Sequence, residues 1–276
     1  LAGLGCYHLS CAFVDVPTSR TSRTMMAAKK QTGLKNEKLY EVYNVFYNLN
    51  NMILCVAGNV TVDGVLKVAD KMLKPCEKKE IKNYFETEPY EIKEPYVEQT
   101  FPVSMPLFNL GFKEKADKPL NEKQLACTDI LLSTLASNTS ILYRNLMDSN
   151  LINSSFSYEL FEGPGYCSVI FGGESRAPKQ AAEMIKQYIS DIKKNGIDKE
   201  DFEIARKSVY GDSVSSLNSV SAISNSIIDY AMQGNEIFAY IDAVANAKLE
   251  DINARLAEML NVDNCTLSVV KQPEEV

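Results

Sequence analysis

The scarcest residue types set the first limits on the chemistry. The chain of 276 residues carries a single histidine, His8. One imidazole cannot supply the two ligands of an H-x-x-E-H zinc site, and histidine-assisted nucleophiles usually need partners that this chain lacks. Seven cysteines are present, an odd count without a C-x-x-C pair. Cys55 and Cys167 lie in apolar runs, which suits reduced, buried thiols better than a disulfide framework. Glu159, Glu162 and Glu174 fall close together in sequence. Carboxylates can divide acid and base roles when burial separates their pKa values, but nothing in the sequence buries these three, and they read as solvated hairpin charges. Gly163, Gly165, Gly172 and Gly173 read as a hairpin turn and a strand end rather than a phosphate cradle. No Walker loop, G-x-S-x-G or dinucleotide fingerprint occurs. Phe156, Tyr158, Phe161 and Tyr166 stand at strand spacing and fit core or cross-strand packing, with a peptide groove as the functional alternative.

Composition narrows the classes further. The length suits about two domains and a sizeable core. The 45% apolar and 24% charged fractions are those of a soluble globular protein, and the net charge of −7 opposes a nucleic-acid surface. No apolar run approaches the roughly 20 residues of a membrane span. Leu1 to Val16 lacks the basic start of a secretory signal. A cytoplasmic protein with no nucleic-acid or membrane partner and no cofactor of its own is expected.

The elements that would position any site follow from hydrophobic period. Leu39, Val42, Tyr43 and Phe46 recur at helical spacing, Asn48, Asn50 and Asn51 punctuate, and Met52 to Ala57 is an apolar strand. Met259 to Lys271 nearly repeats this unit: Asn48, Asn51, Leu54 and Val56 correspond to Asn261, Asn264, Leu267 and Val269, an offset of 213 residues. That spacing is domain-sized, so two related domains are expected, the first represented only by its tail. The resulting division is a poorly ordered or non-native leader over 1–33, the end of a first domain over 34–76, a charged linker with Pro89 and Pro95 over 77–96, and a whole second domain over 97–276.

Within this frame Thr61 caps a helix whose buried stripe is Val62, Val65, Leu66, Ala69 and Leu73. Val97 to Phe112 has strand character interrupted by Pro102 and Pro106. Asn121 and Gln124 form a capping box for a helix through Leu135, and a second helix covers Ser140 to Ser149. Asn153–Phe161 and Tyr166–Gly172 make a hairpin. Pro178 starts a helix that Gly196 closes, and Asp198 caps the next, with Ile197 and Phe202 as a staple. Leu217, Val220, Ser224, Ile227 and Ile228 keep a helical stripe, and Leu249, Ile252, Leu256 and Met259 form the last helical face. The fold class is α+β, a mainly antiparallel sheet with helices on one face, in a duplicated domain of which the first copy is incomplete.

Three stretches carry a resemblance: Asn48 to Lys74, Ser140 to Ser175 and Lys248 to Val270. In order and spacing they resemble the insulinase/pitrilysin-type zinc peptidases, most closely the bacterial cytoplasmic members that work as unequal pairs with zinc on one subunit. The resemblance implies duplicated α+β domains and, in full-length members, an inverted H-x-x-E-H zinc site in the first domain. Nothing here occupies those positions, so no catalytic and no metal-binding residue is assigned. Many members hold substrate with an arginine and, seven positions later, a tyrosine; in register those positions are Met147 and Ser154. Arg144 and Tyr158 lie nearby, out of register, as weaker substrate-contact candidates. The expected function is the non-catalytic portion of a zinc-peptidase-like protein, inactive alone, which shapes a peptide chamber and a subunit interface. Its expected partners are unfolded polypeptide and a second peptidase-like subunit or another copy. An inactive scaffold or core subunit, or a plain peptide-binding module using a strand edge, are the alternatives.

Overall fold

The computed structural model describes residues 10–15, 36–78, 89–116, 118–163 and 165–273. In chain order the elements are β1 (Ser10–Asp15), α1 (Asn36–Phe46), β2 (Met52–Ala57), α2 (Val62–Met72), β3 (Tyr96–Thr100), β4 (Leu107–Glu114), α3 (Glu122–Ala136) and α4 (Ile141–Asp148). There follow β5 (Ser157–Gly163), β6 (Tyr166–Glu174), α5 (Pro178–Asn195), α6 (Lys199–Ser216), α7 (Val220–Met232), α8 (Ile237–Asn246), α9 (Leu249–Glu258) and β7 (Cys265–Lys271). The chain divides into two compact units, one of Leu1–Tyr84 with Val214–Ile237 and one of Phe85–Ser213 with Phe238–Val276.

The second unit has the expected α+β plan. Its five strands run in the order β3-β7-β4-β6-β5, antiparallel except for the β3–β7 pair. Alternation decides which face is dry. Phe108, Leu110 and Phe112 of β4, Cys167, Val169 and Phe171 of β6, and Cys265, Leu267 and Val269 of β7 are all buried. Phe112 meets Phe171 edge-on with centroids 5.8 Å apart, and each such ring stabilises by roughly 1.5–3 kcal/mol through burial. Pro102 and Pro106 fall between β3 and β4, where no ladder bond is lost.

The helices covering this face start where local chemistry says they should. The Asn121 side chain accepts from Gln124 N–H at 2.9 Å while the Gln124 side chain accepts from Asn121 N–H at 3.1 Å, and Ser140 caps α4. α3 is buried along nearly its whole length from Leu125 to Ala136, so its apolar run is core. Gly196 closes α5 at φ 80°, a conformation that favours glycine. Asp198 accepts from the Glu200 N–H at 2.7 Å, and Ile197 and Phe202 are buried together near this cap.

The first unit contains a two-stranded antiparallel sheet, β1 with β2. Within the expected leader, Ser10–Asp15 forms β1: SCAFVD is an apolar run suited to a strand, and it pairs with β2 along its length. The rest of the leader, with His8, lies outside the described residues, as does much of the 77–96 linker. α7 packs against both strands, with Ser224 and Ile228 buried. The helical stripe from Leu217 to Ile228 is broken, because Ser219 caps a new helix and its hydroxyl accepts from Ala222 N–H. The stripe expected to be buried on α2 is not: Val62, Leu66 and Leu73 are exposed and no residue of the helix is buried. An apolar stripe is dry only where something lies on it.

Candidate functional site

The side chains on the other face of the β3-β7-β4-β6-β5 sheet differ in kind. They are Asn109, Lys113, Glu159, Phe161, Tyr166, Ser168, Ile170, Thr266 and Ser268, all exposed or half-exposed. Phe161 and Tyr166 face each other across the hairpin with centroids 5.2 Å apart. The Asn109 side chain lies over Gly172, where a Cβ would stand 2.1 Å from Asn109 Oδ1, so only glycine lets that amide lie flat on the sheet. β5 is an outer strand of the sheet, and among the described residues no strand pairs with its second edge. A polar face with an aromatic pair beside an open strand edge can accept an extended polypeptide through backbone hydrogen bonds.

The acidic residues around the hairpin are not brought together. Glu162 lies opposite Cys167, whereas Glu174 lies opposite Leu107 at the far end of β6, roughly 23 Å along the strand. Glu174 accepts from the Asn153 amide at 2.6 Å. Glu159 is exposed on the open face. Glu162 departs from the expected solvated charge: it points toward the helices, is half-buried, and burial raises its carboxyl pKa, with the nearby Asp129 charge adding to the rise.

Tyr158 shares the helix-facing side. Its hydroxyl is hydrogen-bonded to Ser133, and burial, with the Asp129 and Asp212 charges, raises its pKa. Arg144 is exposed on α4, and its charge is felt by Tyr188. The two substrate-contact candidates therefore answer to different neighbours, and neither side chain lies on the open face of the sheet. Met147 is exposed at the end of α4, and Ser154 is exposed just before β5. Sequence reasoning missed Asp129, a carboxylate amid apolar α3 that accepts from the Tyr240 hydroxyl at 2.6 Å. The available signal was its own isolation between Thr128 and Ile130 in an otherwise apolar helix.

A family model for the peptidase M16 inactive domain matches residues 33–209. The chain belongs to this M16 family. It is 26% identical over 243 residues to an uncharacterised zinc protease of Bacillus subtilis, YmfH, covering 86% of this chain and 56% of that protein. An M16-like peptidase from Alicyclobacillus acidocaldarius superposes with a TM-score of 0.79 at 27% identity over 87% of this chain and 59% of that one. An M16 inactive domain from Pseudomonas fluorescens, at 15% identity and TM-score 0.70 over 90% of this chain and 60% of that one, shares the fold. This chain thus spans little more than half the length of the M16 relatives it matches.

Some of these M16 relatives are zinc proteases by name, which raises the question of a metal here. Among the described residues no group of three or more His, Cys, Asp or Glu side chains is placed to hold one. Cys127, Cys167 and Cys265 are buried free thiols, and burial pushes all three thiol pKa values up, that of Cys167 to about 12. A neutral thiol is a poor ligand. Among the described residues the donor set does not fit a zinc ion, and the matching family model is that of the M16 inactive domain, the non-catalytic part of a peptidase-like protein.

Proposed function

We propose that this chain forms one wall of a chamber for unfolded polypeptide in a zinc-peptidase-like protein, and that it does not itself cleave. The observation that carries the reading is the one-sided sheet: a dry face under helices, and an open polar face ending at β5, an outer strand whose second edge meets no other strand among the described residues. Extended substrate would add to that edge, its backbone pairing with β5 while side chains meet Phe161, Tyr166 and Glu159. The family assignment and the zinc-protease names of relatives support peptide as the ligand class. A second peptidase-like subunit, or another copy of this chain, would close the chamber and supply the hydrolytic residues.

The test is amide exchange on the full chain with a reduced, carboxymethylated polypeptide as probe. Protection of alternate N–H groups along 157–163 is expected, and Phe161→Asp should weaken it at least tenfold. Zinc-dependent cleavage of the probe by this chain alone would overturn the non-catalytic part. Absence of protection at high probe concentration would remove the peptide wall and leave the scaffold reading.

A further inference from the structure

The hairpin at the outer edge of the open face is uneven in charge. From Ser157 to Glu174 it carries three glutamates and no lysine or arginine. Strand parity and local bonds set the glutamates apart. Glu162 turns toward the helices and Glu174 is engaged by the Asn153 amide, so Glu159 alone of the three is exposed, and it stands on the open face. The chain's net charge of −7 adds to the attraction that this carboxylate has for a cation. On the same face Lys113 stands on β4, opposite Ser168 of β6. It is therefore two strands in from β5, roughly 10 Å.

The aromatic residues beside Glu159 are laid flat by the backbone beneath them. Gly163 lies opposite Tyr166, and Phe161 lies opposite Ser168. The Tyr166 ring lies over Gly163, where a Cβ would run into it, so glycine lets the ring reach across to the outer strand. There it meets the Phe161 ring with centroids 5.2 Å apart and planes 31° apart. Phe161 and Tyr166 thus form a half-exposed aromatic shelf on β5, and Glu159 precedes it on the same face of that strand. The faces of such rings carry negative charge density.

The geometry of strand pairing says what could use both features. A strand added to β5 sets its side chains about 5 Å from the residues they oppose, with diagonal neighbours about 7–8 Å away and within reach of a long side chain. A residue opposite Phe161 comes over the shelf, and its far end can reach the Glu159 carboxylate. An aliphatic side chain there leaves the carboxylate unanswered, and an acidic one meets like charge. A guanidinium answers both groups, because it is planar, stacks on aromatic faces and pairs with a carboxylate through a fork of donors.

We infer that the open face holds a subsite for an arginine side chain of the captured polypeptide, with Phe161 and Tyr166 stacking on the guanidinium and Glu159 pairing with it. The inference rests on the reading of β5 as a polypeptide-binding edge, and it names which polypeptides that edge selects: extended cationic segments over neutral or acidic ones. Lysine would be held less well, since its compact ammonium does not stack.

The test uses the full chain and two probes of equal length. One is an acetylated, amidated nonapeptide of alternating threonine and valine with arginine at its centre. The other carries citrulline there, which keeps the shape and loses the charge. Affinity is read from the dependence of amide protection along 157–163 on probe concentration. The arginine probe should bind about tenfold tighter, the combined worth of a stacked cation and an exposed ion pair. Glu159→Gln should remove most of that difference by weakening the arginine probe while leaving the citrulline probe unchanged, and high salt should narrow it. Equal affinities, with 157–163 protected by both probes, would overturn the subsite and leave the peptide wall standing. Protection by neither probe would remove the peptide wall and the subsite with it. An arginine preference that survives Glu159→Gln combined with Tyr166→Leu would place the cation elsewhere and overturn the assignment.

Discussion

The Tyr240 hydroxyl donates to the Asp129 carboxylate at 2.6 Å and so joins α8 to the middle of α3 across 111 residues of chain. Burial raises the Asp129 pKa and the tyrosine bond opposes the rise. Tyr240→Phe should therefore cost about 1–3 kcal/mol at pH 7, because a buried carboxylate loses its donor. Urea unfolding measures it. The deficit should shrink in acid, where the carboxyl is neutral and tolerates burial.

Glu114 is buried and accepts from Leu260 N–H at 2.7 Å, yet burial outweighs that bond and pushes its pKa from 4.5 to about 7. Between these values the folded chain holds a proton that the unfolded chain has released. Its contribution to stability is therefore full below pH 4.5 and is lost as pH rises toward 7, by roughly 3 kcal/mol in total. Glu114→Gln keeps an acceptor for Leu260 and should flatten this part of the pH profile of the unfolding free energy.

Asn264 is buried and fastens the segment before β3. Its amide donates to the Tyr90 carbonyl at 3.0 Å and the Lys113 carbonyl at 3.2 Å, and its oxygen accepts from Ile92 N–H at 3.0 Å. Asn264→Ala should cost roughly 2–4 kcal/mol by stranding these backbone groups. It should also speed exchange of the Ile92 amide more than that of the amides in β6.

Phe171 is fully buried and paired with Phe112. Phe171→Ala should cost about 3–5 kcal/mol, the price of a large cavity that helices on a pleated sheet cannot collapse. Calorimetry or denaturant titration checks it.

What could be read from the sequence was local. The Asn121 capping box, the Pro178 start, the Gly196 stop and the Asn48 and Asn261 turns each depend on residues within a few positions, and all are present in the structure. The Asn153–Phe161 and Tyr166–Gly172 hairpin was legible for the same reason, and it is present as β5 and β6. Partnerships across the chain left no such mark: Tyr240 with Asp129, Asn264 with Tyr90, and β1 with β2 join segments whose local patterns do not mention each other. Burial was misread where it depends on a neighbour, as on α2, whose apolar stripe is sound but uncovered. It was misread in the opposite sense at Glu162, where strand parity turned a hairpin carboxylate toward the helices. The open face of the sheet depends on strands far apart in the chain and left no local mark, and the Arg144 and Tyr158 candidates were drawn from positions that do not lie on it.

β7 is seated between β3 and β4, although about 150 residues of chain separate Glu114 from Cys265. On the ribosome, the strands made early wait with their ladder edges unpaired until this late segment emerges. Closing so large a loop is slow, so nascent chains should need shielding by a holding chaperone, and ribosome-stalled chains ending before residue 265 should bind one more persistently than released full-length protein.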